Sequence, residues 1–89
     1  MITRTFRIQN EKGLHARASA RFVEVVERFD AEAEVEKDGM CVLGDSIMGL
    51  LMLAASRGSQ ITVRLSGPQA EELGDALQAL ITDLFGEGF

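Results

Sequence analysis

The chain has 89 residues, of which 46% are hydrophobic and 26% charged, and its formal net charge is −5. This length suffices for one compact domain over residues 1–89 and is too short for two. The acidic balance argues against nonspecific binding to nucleic acid or to an anionic membrane, since both require clustered cations. No segment reaches the ~18–20 uncharged apolar residues of a membrane span. We therefore expect no nucleic-acid partner and no membrane insertion.

The cysteine count and the first residues indicate the compartment. Cys41 is the only cysteine, which excludes an internal disulfide and a two-cysteine metal site. Residues 1–13 lack the apolar core of a signal peptide. Both features favour a reducing cytoplasm, with Cys41 as a small buried hydrophobic residue.

Hydrophobic periodicity in the first half of the chain predicts a strand, a helix and a hairpin. Apolar side chains alternate with polar ones over residues 2–9, which is typical of a half-buried strand. Residues 16–29 place apolar side chains at helical spacing and predict an amphipathic helix. The pair Asp38-Gly39 lies between two short alternating runs in residues 33–43 and predicts a hairpin turn.

The second half of the chain predicts a helix, a strand and a last helix. Residues 44–56 are strongly apolar after a capping pair, which indicates a short helix. Residues 59–66 alternate as a strand, and the helix of residues 67–85 begins with Gly67-Pro68. We expect residues 86–89 to be frayed.

The predicted order is therefore β-α-β-β-α-β-α. Alternating strands bury one face only, which suits an antiparallel sheet. Three helices must cover that single apolar face. The expected fold class is α+β: a two-layer, open-faced sandwich with a four-stranded antiparallel sheet and three helices on one side.

The only histidine, His15, lies at or just before the first turn of the helix that begins near Ala16. The first N–H groups of a helix are unpaired and carry partial positive charge, so this end can bind an anion. The same charge favours a neutral, nucleophilic ring. Arg17 adds a cation that can bind phosphate oxygens. On these residues alone, however, a histidine at a helix start is more often an ordinary cap.

Two stretches resemble a known family. "GLHARASARF", residues 13–22, resembles the active-site signature of the histidine-containing phosphocarriers (HPr) of the bacterial phosphoenolpyruvate-dependent phosphotransferase system, usually Gly-Leu-His-Ala-Arg-Pro-Ala. "DSIMGLLMLAASRGSQITV", residues 45–63, is similar to the regulatory-serine region of that family. The chain departs from the pattern at Ala18, where the family often has proline. Nitrogen-related phosphocarriers (NPr) and those of some proteobacteria vary at this point.

The resemblance implies a covalent carrier and not a stand-alone enzyme. His15 would accept a phosphoryl group on Nδ1 from phosphorylated enzyme I and pass it to a IIA protein or domain, and Arg17 would stabilise the phosphate. No cofactor and no metal are expected. Ser46 is a natural N-cap of the second helix by its position. By resemblance it is also the site that HPr kinase/phosphorylase modifies.

The second helix has more apolar residues than one buried face needs. Leu50 and Leu53 suit the core, which leaves other apolar side chains facing outward, and exposed apolar clusters mark interaction surfaces. A fully buried helix is the alternative on the residues alone. With the resemblance, the cluster becomes a docking surface beside the histidine on a monomer. The predicted partner-binding residues are Leu14, Arg21, Ile47, Met48 and Leu51.

Three alternatives stay open from the sequence. One is a carrier of the nitrogen branch, which regulates and does not feed sugar uptake. Another is a small regulatory or ligand-binding domain of the same architecture in which His15 is only a helix cap. A small phosphohydrolase is the third, although the chain lacks the metal-ligand cluster or second base that such an enzyme would need.

Overall fold

Strands and helices follow one another in the predicted order in the computed structural model, which describes residues 1–89. The elements are β1 (Ile2–Arg7), α1 (Ala16–Glu27), β2 (Glu32–Lys37), β3 (Met40–Leu43), α2 (Ile47–Met52), β4 (Gln60–Ser66), α3 (Ala70–Thr82) and a short 3₁₀ turn (Leu84–Gly86). The sheet order is β1-β4-β2-β3, and every neighbouring pair is antiparallel. The predicted fold class is confirmed. None of the helices has both the length and the apolar character needed to cross a membrane.

The hairpin of β2 and β3 turns where the sequence predicted it. Asp38 and Gly39 both have positive φ, 52° and 84°, and Lys37 pairs with Met40 across the turn. Two successive positive φ angles match the right-handed twist of the flanking strands, which is why an Asp-Gly pair is favoured there.

The core lies between the sheet and the three helices. β4 pairs with β1 on one side and β2 on the other, so its inward side chains are covered from both sides. Ile61, Val63 and Leu65 of this strand are fully buried. Each helix buries apolar side chains on the side that faces the sheet. The helical side chains with no exposed surface are Ala18, Ser19, Phe22, Leu50, Leu73 and Leu77.

Arg4 is a charged residue at an inward position of β1, where the alternation of apolar and polar residues would place an apolar side chain. Its position in the strand directs it toward the helices, where its guanidinium bonds to Asp75 of α3 at 2.9 Å. Gly74 makes room for it, because a Cβ at that position would lie 3.0 Å from the guanidinium carbon. Arg4 thus keeps its charge at the edge of the core while its stem packs inward.

The opposite face of the sheet carries charged side chains. Arg64 of β4 pairs with Glu34 at 3.2 Å and with Glu36. Cys41, the register partner of Glu36, lies on this face, 3.9 Å from Arg64, and is exposed. The prediction that Cys41 is buried was wrong, because the alternation of β3 turns Val42 toward the helices and leaves Cys41 on the open side.

The segment after α3 packs on the domain and is not frayed, contrary to expectation. Phe85 is fully buried, and the Phe89 carbonyl accepts a hydrogen bond from the Glu11 N–H at 3.3 Å. Leu84 and Phe85 both have φ of 55°, which costs about 1 kcal/mol or more per residue. Burial of the phenyl ring contributes roughly 2 kcal/mol in return, so the turn is held by the core.

The loop before α1 is fastened to the segment after α2. The Leu14 N–H donates to the Ala55 carbonyl at 2.9 Å. Gly13 has φ of 65° and lies so close to this segment that a Cβ on it would be 2.4 Å from the Ala55 oxygen and 2.9 Å from the Ser56 Cα. Only glycine fits both the dihedral and the approach.

We expect Gly13→Ala to lower the free energy of unfolding by about 3 kcal/mol or more, because left-handed strain and a backbone clash add together. The control is Gly58→Ala. Gly58 also has positive φ, 88°, but nothing lies within 4 Å of its added Cβ, so the loss there is about 1 kcal/mol. Urea unfolding measures both. Equal losses for the two variants would contradict the close approach at Gly13.

Candidate functional site

His15 is the N-cap of α1, as predicted. Its backbone is extended (φ −75°, ψ −176°), and its Nδ1 atom accepts a hydrogen bond from the Arg17 N–H at 3.3 Å. The side chain keeps 27% of its surface exposed. The ring is therefore neither sealed in the core nor turned away from the helix. It covers one unpaired amide of the first turn and remains within reach of a partner.

The first turn of α1 contains no acidic side chain, so its own residues do not compensate the positive end of the helix. Ala18, where the family signature often has proline, is fully buried. Ser19 is buried as well, and its hydroxyl donates to the Leu14 carbonyl at 3.2 Å. These contacts secure the helix start without a proline.

Sequence reasoning missed Glu87, which contacts the histidine ring from the far end of the chain. Its Oε2 atom is in hydrogen-bond contact with His15 Nε2. Its Oε1 atom accepts from Asn10 Nδ2 at 2.9 Å. The Glu87 side chain is only 6% exposed. A separation of 72 residues leaves no local pattern that could have predicted this pair.

The surroundings of Glu87 lower its pKa below the ordinary value of 4.5. Burial raises the pKa, because it disfavours the charged form. The hydrogen bonds from Asn10 and His15, together with the charges of His15 and Lys12, act in the opposite direction and outweigh it. Glu87 is therefore a carboxylate at neutral pH.

A shallow pocket joins the helix start to the tail. His15 and Arg17 both line it, so the structure brings the two main predicted site residues together. Arg21 lies one turn further along α1, where its guanidinium packs over Gly86 of the tail. The pocket residues are Lys12, His15, Ala16, Arg17, Gly86, Glu87 and Phe89. An anion at the open side of the ring would meet the charges of Lys12 and Arg17.

Ser46 is the N-cap of α2, also as predicted. Its Oγ atom accepts a hydrogen bond from the Gly49 N–H at 3.0 Å, and the residue is half-buried. Gly49 allows this packing, since a Cβ there would lie 3.0 Å from Val42 and 3.2 Å from the serine oxygen. The capping role is thus confirmed, and the regulatory role stays a prediction.

The predicted docking residues separate into exposed and buried ones. Ile47 and Met48 are 41% and 70% exposed, whereas Leu51 is only half-exposed. Leu14 is 4% exposed, so the prediction that it lies on an open docking surface was wrong. The bond from its N–H to Ala55 turns the chain so that the side chain enters the core. Met52 was missed, although its spacing of four from Met48 puts it on the same helix face.

We define the apolar patch as the exposed side chains of α2, namely Ile47, Met48 and Met52. Met52 is 64% exposed. Met40 of the neighbouring strand β3 is exposed as well, at 44%, whereas Leu43, which is 62% exposed, lies on the open face of the sheet with Glu34 and Arg64. Exposed large apolar side chains that are grouped in this way indicate an interaction surface.

A protein-family model described as "PTS HPr component phosphorylation site" matches residues 2–83 of the chain. The chain belongs to the HPr family. The phosphocarrier protein HPr of Cupriavidus necator is 44% identical over 99% of both chains. The phosphocarrier protein NPr of Escherichia coli K12 is 40% identical over 99% of this chain and 94% of its own length.

Solved structures of the HPr family have the same fold. HPr-C-His from Thermoanaerobacter tengcongensis matches with a TM-score of 0.94 and 39% identity over the whole of both chains. The phosphocarrier HPr of Bacillus anthracis matches with a TM-score of 0.85 and 40% identity over 90% of this chain and 95% of its own. An HPr dimer from T. tengcongensis is also similar, with a TM-score of 0.77 over 98% of this chain and all of its own. The expectation of a monomer therefore stays a prediction.

The low pKa of Glu87 predicts a pH-dependent contribution to stability. A group whose pKa is lower in the folded state stabilises the fold above its unfolded pKa, and that contribution is lost as the pH falls below it. We expect wild type to exceed Glu87→Gln by about 1 kcal/mol or more in free energy of unfolding at neutral pH. This difference should shrink as the pH falls below the ordinary carboxyl pKa of 4.5 in urea titrations. A difference that stays constant as the pH falls would contradict the assignment.

Proposed function

We propose that this member of the HPr family accepts a phosphoryl group on His15 from phosphorylated enzyme I and passes it to a IIA protein or domain. The observation that carries the proposal is the histidine ring at the N-cap of α1. The ring is partly exposed, its Nδ1 accepts only the long Arg17 N–H bond of 3.3 Å, and the Arg17 side chain lines the same pocket.

The geometry suits transfer at Nδ1. The amide that bonds weakly to the ring nitrogen would become a donor to a phosphoryl oxygen once the group is attached. The positive end of the helix adds roughly 0.3–2 kcal/mol, depending on burial. Phosphoryl transfer depends mainly on positioning and on charge stabilisation. One helix end and one arginine hold the phosphate loosely enough for it to be passed on.

We further propose that the apolar patch docks the partners and that Ser46 regulates the docking. Methionine side chains adapt to differently shaped partners. A phosphate on Ser46 would add about −1.5 to −2 charge at the edge of this patch. The helix start of α2 tolerates a negative charge, whereas a partner surface with apolar or acidic groups would not.

A regulatory carrier of the nitrogen branch is the second candidate. The 40% identity to NPr of E. coli K12 supports it nearly as well as the 44% identity to HPr of C. necator supports the sugar branch. The IIA protein that takes the phosphoryl group from this carrier distinguishes the two branches.

The first test is phosphorylation by enzyme I. We expect wild type, mixed with phosphoenolpyruvate, magnesium and enzyme I, to form a phosphoprotein that is labile in acid and stable in base. The phosphoryl group should be absent from His15→Ala, because this variant lacks the acceptor nitrogen. Mass spectrometry of the intact protein measures the extent. If wild type takes no phosphoryl group from an enzyme I that phosphorylates another HPr, the result would favour a binding domain in which His15 is only a cap.

The two arginines of α1 provide a matched pair in the same assay. Arg17→Ala removes the guanidinium that lines the pocket of His15, and we expect transfer to slow by about tenfold or more, the worth of a charged hydrogen bond. Arg21→Ala removes the same charge one turn later and should have a smaller effect. Transfer at the wild-type rate in Arg17→Ala would remove Arg17 from the site.

The second test concerns Ser46. We expect Ser46→Asp to slow phosphorylation by enzyme I several-fold and to leave the melting temperature nearly unchanged, because aspartate is also a good N-cap. Ser46→Asn is the control, since it keeps a cap and adds no charge. If both variants accept phosphate at the wild-type rate, the proposed docking surface does not include the start of α2.

A further inference from the structure

Each nitrogen of the His15 ring faces a different kind of group. Nδ1 faces the Arg17 N–H, a donor, at 3.3 Å. Nε2 faces the carboxylate of Glu87, an acceptor. A nitrogen that faces a donor carries the lone pair, and one that faces a carboxylate carries the proton. The neutral ring is therefore held in the Nε2–H tautomer.

The carboxylate is itself held in place. Asn10 is fully buried, and its Nδ2 group donates to Glu87 at 2.9 Å and to the Gly13 carbonyl at 2.8 Å. The other amide atom, Asn10 Oδ1, is buried and has no hydrogen-bond partner. The unpaired acceptor costs free energy, so this orientation of the amide serves the two donor bonds. Asn10 thus links the carboxylate to the loop that precedes His15.

The tail is anchored on both sides of Glu87. Before it, Phe85 is fully buried in a turn whose φ angles lie in the left-handed region. After it, the Phe89 carbonyl accepts from the Glu11 N–H. Backbone strain of this kind persists only where the surroundings hold it. The turn brings the carboxylate to Nε2 of the histidine ring.

We infer that Glu87 is a positioning residue for His15, which presents the Nδ1 lone pair by holding the proton on Nε2 and supplies a counter-charge when the ring is phosphorylated. This inference rests on the proposed function. During transfer, the Nδ1 lone pair forms the bond to phosphorus. The bond from phosphorus to the donor group breaks, and its electron pair stays with the donor group. The proton remains on Nε2, so the ring becomes a cation beside the carboxylate.

The arrangement places the negative charge away from the incoming phosphate. Glu87 binds the nitrogen that does not react, while Arg17 and Lys12 line the pocket. A merely structural carboxylate would stabilise the fold without selecting a tautomer. The tautomer of the ring is therefore the measurement that separates a positioning role from a structural one.

The test is a long-range ¹H–¹⁵N correlation spectrum of the ring at about pH 8, above the range in which imidazoles ordinarily titrate. We expect wild type to show the Nε2–H tautomer and Glu87→Ala to show a mixture of both. Glu87→Gln loses the counter-charge, so its phosphorylation by enzyme I should slow by about tenfold. Glu11→Ala, an exposed carboxylate in the neighbouring loop, is the control and should match wild type in both measurements.

The inference is overturned if wild type shows the Nδ1–H tautomer, or if Glu87→Ala changes neither the tautomer nor the transfer rate. Glu87→Gln is nearly isosteric, and its urea unfolding curve verifies that it folds. Failure of the proposed function has a different signature. Wild type would then take no phosphate from enzyme I, while the spectra would still show whether Glu87 selects the tautomer.

Discussion

The attachment of the loop before α1 to two distant segments is the constraint on which the site depends. The Leu14 N–H binds the Ala55 carbonyl, and Gly13 approaches the same segment too closely for any side chain. Asn10 joins the loop to Glu87 in the tail. These contacts determine where α1 begins, and therefore where its unpaired amides and the His15 ring lie.

The two nitrogens of the histidine ring face groups of opposite polarity, a backbone donor of the first helical turn at Nδ1 and the Glu87 carboxylate at Nε2. An anion at Nδ1 would meet amides and Arg17, while a cation formed on the ring would meet Glu87. Because both states of the ring would find partners in the same frame, little reorganisation would accompany the proposed transfer in either direction. This balance suits a carrier better than a tight phosphate site.

Local patterns predicted most of the fold and half of the site. Alternation gave the strands, and a 3.6-residue period gave α1 and α3. The capping roles of His15 and Ser46 were predictable, because a cap is determined by residues within four positions of it. The exposure of Met48 followed from an excess of apolar residues in a helix of six. Each of these features depends only on neighbours in the chain.

Two of the features that sequence reasoning missed depend on distant contacts. Leu14 is buried because its backbone binds a segment 41 residues later, and Glu87 reaches the ring across 72 residues. The exposure of Cys41 has a local cause, because the alternation of β3 places it on the open face of the sheet. The sequence by itself determined the helix start, its histidine and the order of the elements, since these follow from short-range geometry. Only the tertiary structure decided which carboxylate contacts the ring, because the burial of Phe85 in the core positions Glu87 beside His15.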